Sequence, residues 1–196
     1  MSCTEIYSFN KEGNAVLSGE VNNSWSGAMT VWSFLEKKYL PPYIPNYAKC
    51  CNWYKPGMTS EEVACRIGYE PSRISEFSGR DMPIKEVWDL ADNKDIPEYE
   101  RIVLFTTFDK CLVKKEDIPK VITAFRKFEA ETNLKEQAGI LEELFNDEDC
   151  IAVGWNQNSI NRETWENIGE YDEENEEIMP YNCLTQTEHY WLFDEI

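Results

Sequence analysis

The order in which two hydrophobic periodicities occur along the chain constrains its fold most strongly. Residues 3–9 and 15–21 alternate apolar and polar side chains with a period of two, and a turn containing Gly13 separates them. This pattern predicts a β-hairpin at the start of the chain. Apolar side chains then recur at three- and four-residue intervals over 24–40, which predicts a helix that Pro41 ends.

The later segments continue this mixed order of strands and helices. In chain order, the sequence predicts short helices over 59–67, 72–77 and 84–91, a buried strand over 101–108, helices over 116–131 and 134–145, a strand over 150–155 and a paired segment over 190–193. Regular alternation of strand, helix and strand is missing. We therefore expect an α+β protein with a single domain over 1–196, in which helices pack on one side of a partly antiparallel sheet.

Charge is distributed very unequally along the chain. Residues 129–196 contain 19 Asp and Glu, with Lys135 and Arg162 as their bases, so this acidic part carries a net charge of −17. Residues 1–128 are nearly neutral, with a net charge of −1. Such a surface repels phosphate and attracts basic proteins over about 8 Å in physiological salt.

Cysteine usage and hydropathy indicate the compartment. The seven cysteines are odd in number and irregularly spaced, which argues against a disulfide framework and favours a reducing environment. No apolar run is long enough to cross a bilayer, and the first residues lack the pattern of a signal peptide. We expect a cytoplasmic protein, in the cytoplasm of a host cell, with no membrane partner.

Common enzyme motifs are missing from the sequence. It contains no P-loop, no dinucleotide-binding glycine pattern and no nucleophile elbow, and His189 is its one histidine. We therefore predict a protein that is not an enzyme and that needs no cofactor. One catalytic alternative is Cys3, which could act as a terminal nucleophile after removal of the first two residues. The favoured interpretation of Cys3 is a small residue at the start of a strand.

Three further cysteines offer an alternative in which the protein binds a metal. Cys50, Cys51 and Cys65 could supply thiolates to zinc, with His189 or Cys183 as a fourth ligand. The usual pair of cysteines two residues apart is absent, and buried or surface thiols are the competing interpretation. A cysteine- or metal-dependent enzyme stays open as an alternative on these residues.

Residues 59–91 resemble the helix-turn-helix of phage-repressor-type regulators. The similarity rests on the spacing from Glu62 to Ser75. It implies that a second helix over 72–77 would enter the major groove of DNA. That helix offers Arg73 as its basic group, beside Glu76, whereas DNA affinity depends on contacts from Lys and Arg to phosphate. A transcriptional regulator is thus an alternative to a helix pair that serves as a scaffold or binds protein.

The most acidic stretch of the chain is the candidate partner-binding site. Aromatic residues such as Trp165 and Tyr171 interrupt it, which predicts a folded surface and not a disordered tail. A folded array of carboxylates can imitate the phosphates of DNA, although a surface that merely confers solubility is the alternative. The predicted partner-binding residues are Glu163, Glu166, Glu170, Asp172, Glu173, Glu174, Glu176 and Glu177.

Four segments carry a wider resemblance. Residues 3–7, 25–29, 86–90 and 153–157 resemble uncharacterised small acidic proteins of phages and mobile elements from Gram-positive hosts. By class, this resemblance implies an inhibitor of host defence, of the anti-CRISPR or anti-restriction type. The leading hypothesis is a non-enzymatic inhibitor that binds a basic nucleic-acid-handling host protein, for example a CRISPR effector, by DNA mimicry.

Overall fold

The structure is a computed structural model that describes residues 3–22, 25–40, 44, 46–68, 84–158, 165, 171–174, 176–178 and 181–196. Contacts within the chain divide it into two units. The first unit comprises Met1–Val31 and Leu90–Ile196, and the second unit is Trp32–Asp89. The expectation of a single domain over 1–196 stays a prediction.

The first unit contains a five-stranded mixed sheet. The strands of the described residues are β1 Cys3–Phe9, β2 Ala15–Asn22, β3 Cys111–Lys114, β4 Ala152–Gln157, β5 Tyr171–Asp172, β6 Glu177–Ile178 and β7 Tyr190–Trp191. The five strands of the sheet lie in the order β2-β1-β4-β3-β7, and all neighbours are antiparallel except β3 and β7, which are parallel. A separate two-stranded ribbon pairs β5 with β6. The predicted α+β class with a partly antiparallel sheet is confirmed.

Helices form much of the rest of the described chain. A π-helix over Trp25–Met29 precedes the first α-helix, and short 3-10 turns lie at Leu90–Asp92 and Lys115–Asp117. The α-helices of the described residues are α1 Thr30–Tyr39, α2 Asn46–Lys49, α3 Ser60–Ile67, α4 Ile84–Asp89, α5 Glu98–Phe105, α6 Ile118–Lys127, α7 Leu134–Asn146, α8 Cys183–Gln186 and α9 Leu192–Glu195.

One face of the sheet, here called the helix face, packs against α6 and α7. Because side chains alternate along a strand, Ile6 of β1 and Trp155 of β4 are register partners that point to this same face. Trp155 meets Phe125 of α6 edge to face, with ring centroids 6.3 Å apart. Ile140 of α7 lies directly over Gly19 of β2. The helices therefore cover this side as predicted.

A chain of buried polar side chains crosses the helix face. Thr4 Oγ1 donates to Gln157 Oε1 at 2.7 Å, and Asn133 Nδ2 lies 3.5 Å from the same Thr4 oxygen. Gln137 Nε2 donates to Asn133 Oδ1 at 2.8 Å, and Trp155 Nε1 donates to Gln137 Oε1 at 3.1 Å. Each link satisfies a polar group that would otherwise be costly to bury.

The opposite face of the sheet, here called the aromatic face, has its own core around Trp165. The Trp165 ring meets Phe9 of β1 edge to face, with centroids 5.1 Å apart, and Trp165 Nε1 donates to the carbonyl of Trp155 at 3.1 Å. The other buried members of this cluster are Tyr7, Ala15, Leu112, Ala152 and Cys183 of α8. Since Trp165 is only 1% exposed, it fixes one point of the acidic part of the chain onto the sheet.

The predicted strand over 101–108 is wrong. Residues Glu98–Phe105 form helix α5 instead, and the side chains from Ile102 to Phe105 are buried. A run of β-branched and aromatic residues suits a fully buried helix as well as a strand, so composition alone misleads here. Pro97 before the helix and the two glutamates of its first turn favour a helix start. The strand of this region is β3, which the sequence reasoning missed.

The second unit contains α3 and α4. Thr59 and Glu62 form the predicted capping box at the start of α3, and Gly68 ends it with φ of 80°, in the left-handed region that glycine accepts. Val63 is buried, and Trp32 and Trp88 meet edge to face with centroids 5.8 Å apart. The predicted helix over 72–77 lies outside the described residues.

Candidate functional site

The ribbon of β5 and β6 carries the described members of the predicted partner-binding set. Asp172 and Glu177 are register partners, and the turn between them exposes Glu173, Glu174 and Glu176. Glu176 has a positive φ of 56°, which a tight turn requires. The structure thus brings five predicted acids onto one short ribbon. The other three, Glu163, Glu166 and Glu170, lie outside the described residues.

Other acids of 129–196 are also exposed, and they lie on different elements. Among the described residues, the exposed acids outside the ribbon are Glu129, Glu131, Glu136, Glu143, Asp147, Glu148, Asp149, Glu188, Asp194 and Glu195. A few acids of this part have basic partners from the nearly neutral part. Arg126 Nη2 lies 2.6 Å from Glu142 Oε1, and Lys110 Nζ lies 2.8 Å from Glu188 Oε2. The bond from Lys110 lowers the pKa of Glu188.

The cysteines predicted as zinc ligands lie in the second unit. Cys50 and Cys65 are exposed, and Cys51 is half-buried. Among the described residues, the three metal-capable groups that lie close enough to share one ion are a different set, without these thiols. The structure therefore does not bring Cys50, Cys51 and Cys65 together into such a group. Their predicted role stays a prediction.

The set that the structure does bring together is Cys3, Glu5 and Glu20, here called the hairpin cluster. One ligand atom from each lies within 4.8 Å of the other two. Glu5 and Glu20 are register partners across β1 and β2, and Cys3 lies two residues before Glu5 on the same face of the strand. The Cys3 thiol lies 3.7 Å from Glu20 Oε1.

Asn156 of β4 and Asn158, which directly follows β4, contact this cluster from the side opposite to β2. Asn156 Nδ2 donates to Glu5 Oε2 at 2.6 Å. Asn158 Nδ2 lies 3.1 Å from Glu5 Oε1 and 2.8 Å from Cys3 Sγ, and the amide N–H of Cys3 donates to Asn158 Oδ1 at 2.8 Å. Tyr7 adds a longer hydrogen bond of 3.3 Å to Glu5 Oε2.

Sequence reasoning missed this cluster, although it considered Cys3. The alternation of the hairpin places Cys3 and Glu5 on one face, so half of the signal was present in the sequence. The facing of Glu5 and Glu20 depends on the hairpin register, which shifts between Ile6 and Tyr7. A shift of one residue changes which side chains face each other, and the sequence pattern does not reveal it.

The remaining cysteines are poor candidates for chemistry. Burial raises the pKa of Cys111, Cys150 and Cys183 above the ordinary value of a thiol. A raised pKa leaves less thiolate, and the thiolate is both the nucleophile and the metal ligand. Thiol chemistry in this protein is therefore expected at Cys3 and at the thiols of the second unit.

Comparison with known proteins finds no relative of this chain. No protein-family model matches the chain, and the searches for related curated proteins and for similar solved structures return no match. Among the described residues, no helix combines the length and the apolar character that crossing a bilayer demands.

Proposed function

We propose that the protein is a non-enzymatic inhibitor that binds a basic, nucleic-acid-handling protein of a host cell through its acidic surface. A CRISPR effector or a restriction enzyme is the kind of partner that fits, because both hold nucleic acid in positively charged grooves. The protein would act in the host cytoplasm by occupying such a groove in place of DNA. The proposal is of the anti-CRISPR or anti-restriction type.

The observation that carries the proposal is the exposure of the described carboxylates of 129–196, above all in the turn of the ribbon of β5 and β6. Glu173, Glu174 and Glu176 follow one another around a tight turn and are exposed. Trp165, a few residues earlier, is buried in the aromatic-face core. An anchored array of charge loses less conformational entropy on binding than a free tail does, which favours a defined docking geometry.

Charge complementarity determines how such a complex would behave. Surfaces of opposite electrostatic potential associate faster, and surfaces of like potential repel each other, which disfavours wrong partners. Both electrostatic effects weaken as the salt concentration rises. Each exposed ion pair contributes roughly 0.5 kcal/mol, so three ribbon carboxylates together contribute about 1.5 kcal/mol. That corresponds to about a tenfold change in affinity.

The test is a competition assay with purified probes. A guide-loaded Cas9-type effector and a type II restriction endonuclease are each given labelled DNA duplex, and displacement of the duplex by this protein is followed by fluorescence anisotropy at several salt concentrations. We expect displacement at low salt that declines as salt rises. The triple variant Glu173→Gln, Glu174→Gln, Glu176→Gln should displace DNA about tenfold less well.

A matched control removes the same charge elsewhere. Glu136→Gln, Glu143→Gln and Asp147→Asn also neutralise three exposed acids of the acidic part, on α7 and just after it, and should change displacement by no more than about twofold. Equal effects of both triple variants, or no displacement of DNA from either probe at low salt, would contradict the proposal. Binding of the protein alone to phage promoter DNA, lost in Arg73→Ala, would favour the regulator alternative instead.

A further inference from the structure

We propose that Cys3, Glu5 and Glu20 bind one divalent transition-metal ion of the zinc type, at the edge of the sheet where β1 pairs with β2. The site is separate from the ribbon carboxylates and does not depend on the inhibitor proposal. One thiolate and two carboxylates are a mixed ligand set. Thiolate favours zinc over magnesium and calcium, and zinc also accepts carboxylate oxygens.

The distances suit a tetrahedral ion. With Zn–S near 2.3 Å and Zn–O near 2.1 Å, tetrahedral angles place a sulfur and an oxygen ligand about 3.6 Å apart. The Cys3 Sγ to Glu20 Oε1 distance is 3.7 Å, and the Glu5 carboxylate lies within 4.8 Å of both. Three protein ligands leave the fourth position for water, as in zinc sites with an open position.

The electrostatics of the hairpin also favour a cation. Glu5 and Glu20 face each other directly across neighbouring antiparallel strands, and like charges in that position destabilise a sheet. None of the ion pairs among the described residues involves either carboxylate. A bound dication would turn this repulsion into attraction and would link the edge strand β2 to β1.

A buried polar atom beside the cluster gives independent support. Asn156 is only 2% exposed, and its Oδ1 atom accepts no hydrogen bond from any described residue. The nitrogen of the same amide donates to Glu5 Oε2 at 2.6 Å, so the Asn156 side chain contacts the cluster. A buried acceptor without a donor costs about 1–3 kcal/mol. An ordered water beside Asn156, held by an ion at Glu5, would supply the donor that Oδ1 lacks.

The surrounding hydrogen bonds have the form expected around metal ligands. Ligating carboxylates are usually held by further hydrogen bonds, which fix their orientation. Here Asn156 and Tyr7 both donate to Glu5 Oε2, and Asn158 Nδ2 lies near Glu5 Oε1 and Cys3 Sγ. Asn158 Nδ2 thus contacts both the Glu5 carboxylate and the Cys3 sulfur and holds them in one arrangement.

The test measures binding of Zn²⁺ and of Co²⁺ as a spectroscopic substitute. Protein stripped with chelator is titrated with Zn²⁺ by calorimetry, and we expect one ion per chain, bound much more tightly than Mg²⁺. Co²⁺ should give a thiolate-to-metal charge-transfer band. Cys3→Ser should abolish this band, and Glu20→Gln should weaken Zn²⁺ binding at least about 100-fold. Asn156→Ala, which removes a supporting contact, should weaken it about 10- to 100-fold.

Control variants separate this site from the other thiols and from misfolding. Cys50→Ser and Cys65→Ser should leave both Zn²⁺ affinity and the Co²⁺ band unchanged. Glu20 is exposed, so Glu20→Gln should fold normally, and its circular dichroism in chelator should match that of the wild type. The proposal is overturned if Zn²⁺ binds no more tightly than Mg²⁺, if the Co²⁺ band survives in Cys3→Ser, or if Cys50→Ser or Cys65→Ser removes it.

Discussion

Gly154 in the central strand β4 offers a sharp test of how Trp165 packs on the aromatic face. A Cβ atom added at Gly154 would lie 2.8 Å from Leu112 Cδ2 and 3.2 Å from both Phe9 Cε2 and Trp165 Cε2. All three neighbours are buried in one cluster, so none of them can swing into solvent. We therefore expect Gly154→Ala to strain this core.

The size of the effect follows from two opposing contributions. Inserting a methyl group into a well-packed core costs about 1–3 kcal/mol. The φ angle of Gly154 lies outside the left-handed region, so alanine fits the backbone and regains about 0.5 kcal/mol through the unfolded chain. The net loss in the free energy of unfolding should be about 1.5 kcal/mol. At 2–4 °C per kcal/mol for a chain of this size, the midpoint of thermal unfolding should fall by about 3–6 °C.

The measurement is thermal and urea unfolding, with Gly139→Ala as the matched control. Gly139 lies on the exposed side of α7, and nothing lies within 4 Å of a Cβ added there. Because glycine is a poor helix former, Gly139→Ala should raise stability by about 0.5–1 kcal/mol. A loss of stability in Gly154→Ala together with a gain in Gly139→Ala would support the described packing of the aromatic face. Gly154→Ala as stable as the wild type would refute the placement of Trp165 over β4.

Two further predictions concern buried groups. Burial raises the pKa of Cys111 above its ordinary 9.0. The stability that its neutral thiol contributes is therefore complete below pH 9 and is lost as pH rises from there toward the raised pKa. In urea unfolding, the free energy of unfolding should fall by about 1.4 kcal/mol per pH unit above about pH 9, Cys111→Ala should reduce this slope, and an unchanged slope in the variant would contradict the assignment. Gln137→Leu removes the acceptor of the buried Trp155 Nε1 and should lower the free energy of unfolding by about 2 kcal/mol, whereas a neutral result would mean that the polar chain is not buried as described.

Local patterns predicted the elements whose signals are local. The hairpin of β1 and β2, the amphipathic α6 and α7, and the capping box at Thr59 all occur as predicted. Of the predicted paired segment 190–193, Tyr190 and Trp191 pair into the sheet, whereas Leu192 and Phe193 belong to helix α9. Each of these depends on periodicity or on side chains a few residues apart.

The errors lie where the local signal is ambiguous. Helix α5 is buried along most of its length, so it lacks the polar face that would have distinguished it from a buried strand. Strand β3 is only four residues long and directly follows a turn at Lys110, which has a positive φ of 64°. Its place between β4 and β7 is set by contacts with distant segments, which a single sequence does not show.

The two candidate sites, the acidic ribbon and the hairpin cluster, also differ in how far the sequence predicts them. Charge counts identify the acidic part from composition alone, and the ribbon then shows how five of its predicted residues come together. The hairpin cluster needed the pairing of β1 with both β2 and β4. Asn156 and Asn158 are more than 150 residues from Cys3 and Glu5 in sequence, so only the folded sheet shows that they are neighbours.

The two faces of the sheet differ at the end where Cys3 and Asn158 meet. On the helix face, Thr4 and Gln157 belong to a closed polar chain in which each buried group has a described partner. On the opposite face, Asn156 donates to Glu5, but its own oxygen lacks a described donor. Natural cores rarely leave a buried acceptor unsatisfied, since each one costs about 1–3 kcal/mol. Because the Asn156 side chain donates to Glu5, which faces Glu20 next to Cys3, the proposed cation would relieve the repulsion between the two carboxylates at this end of the sheet.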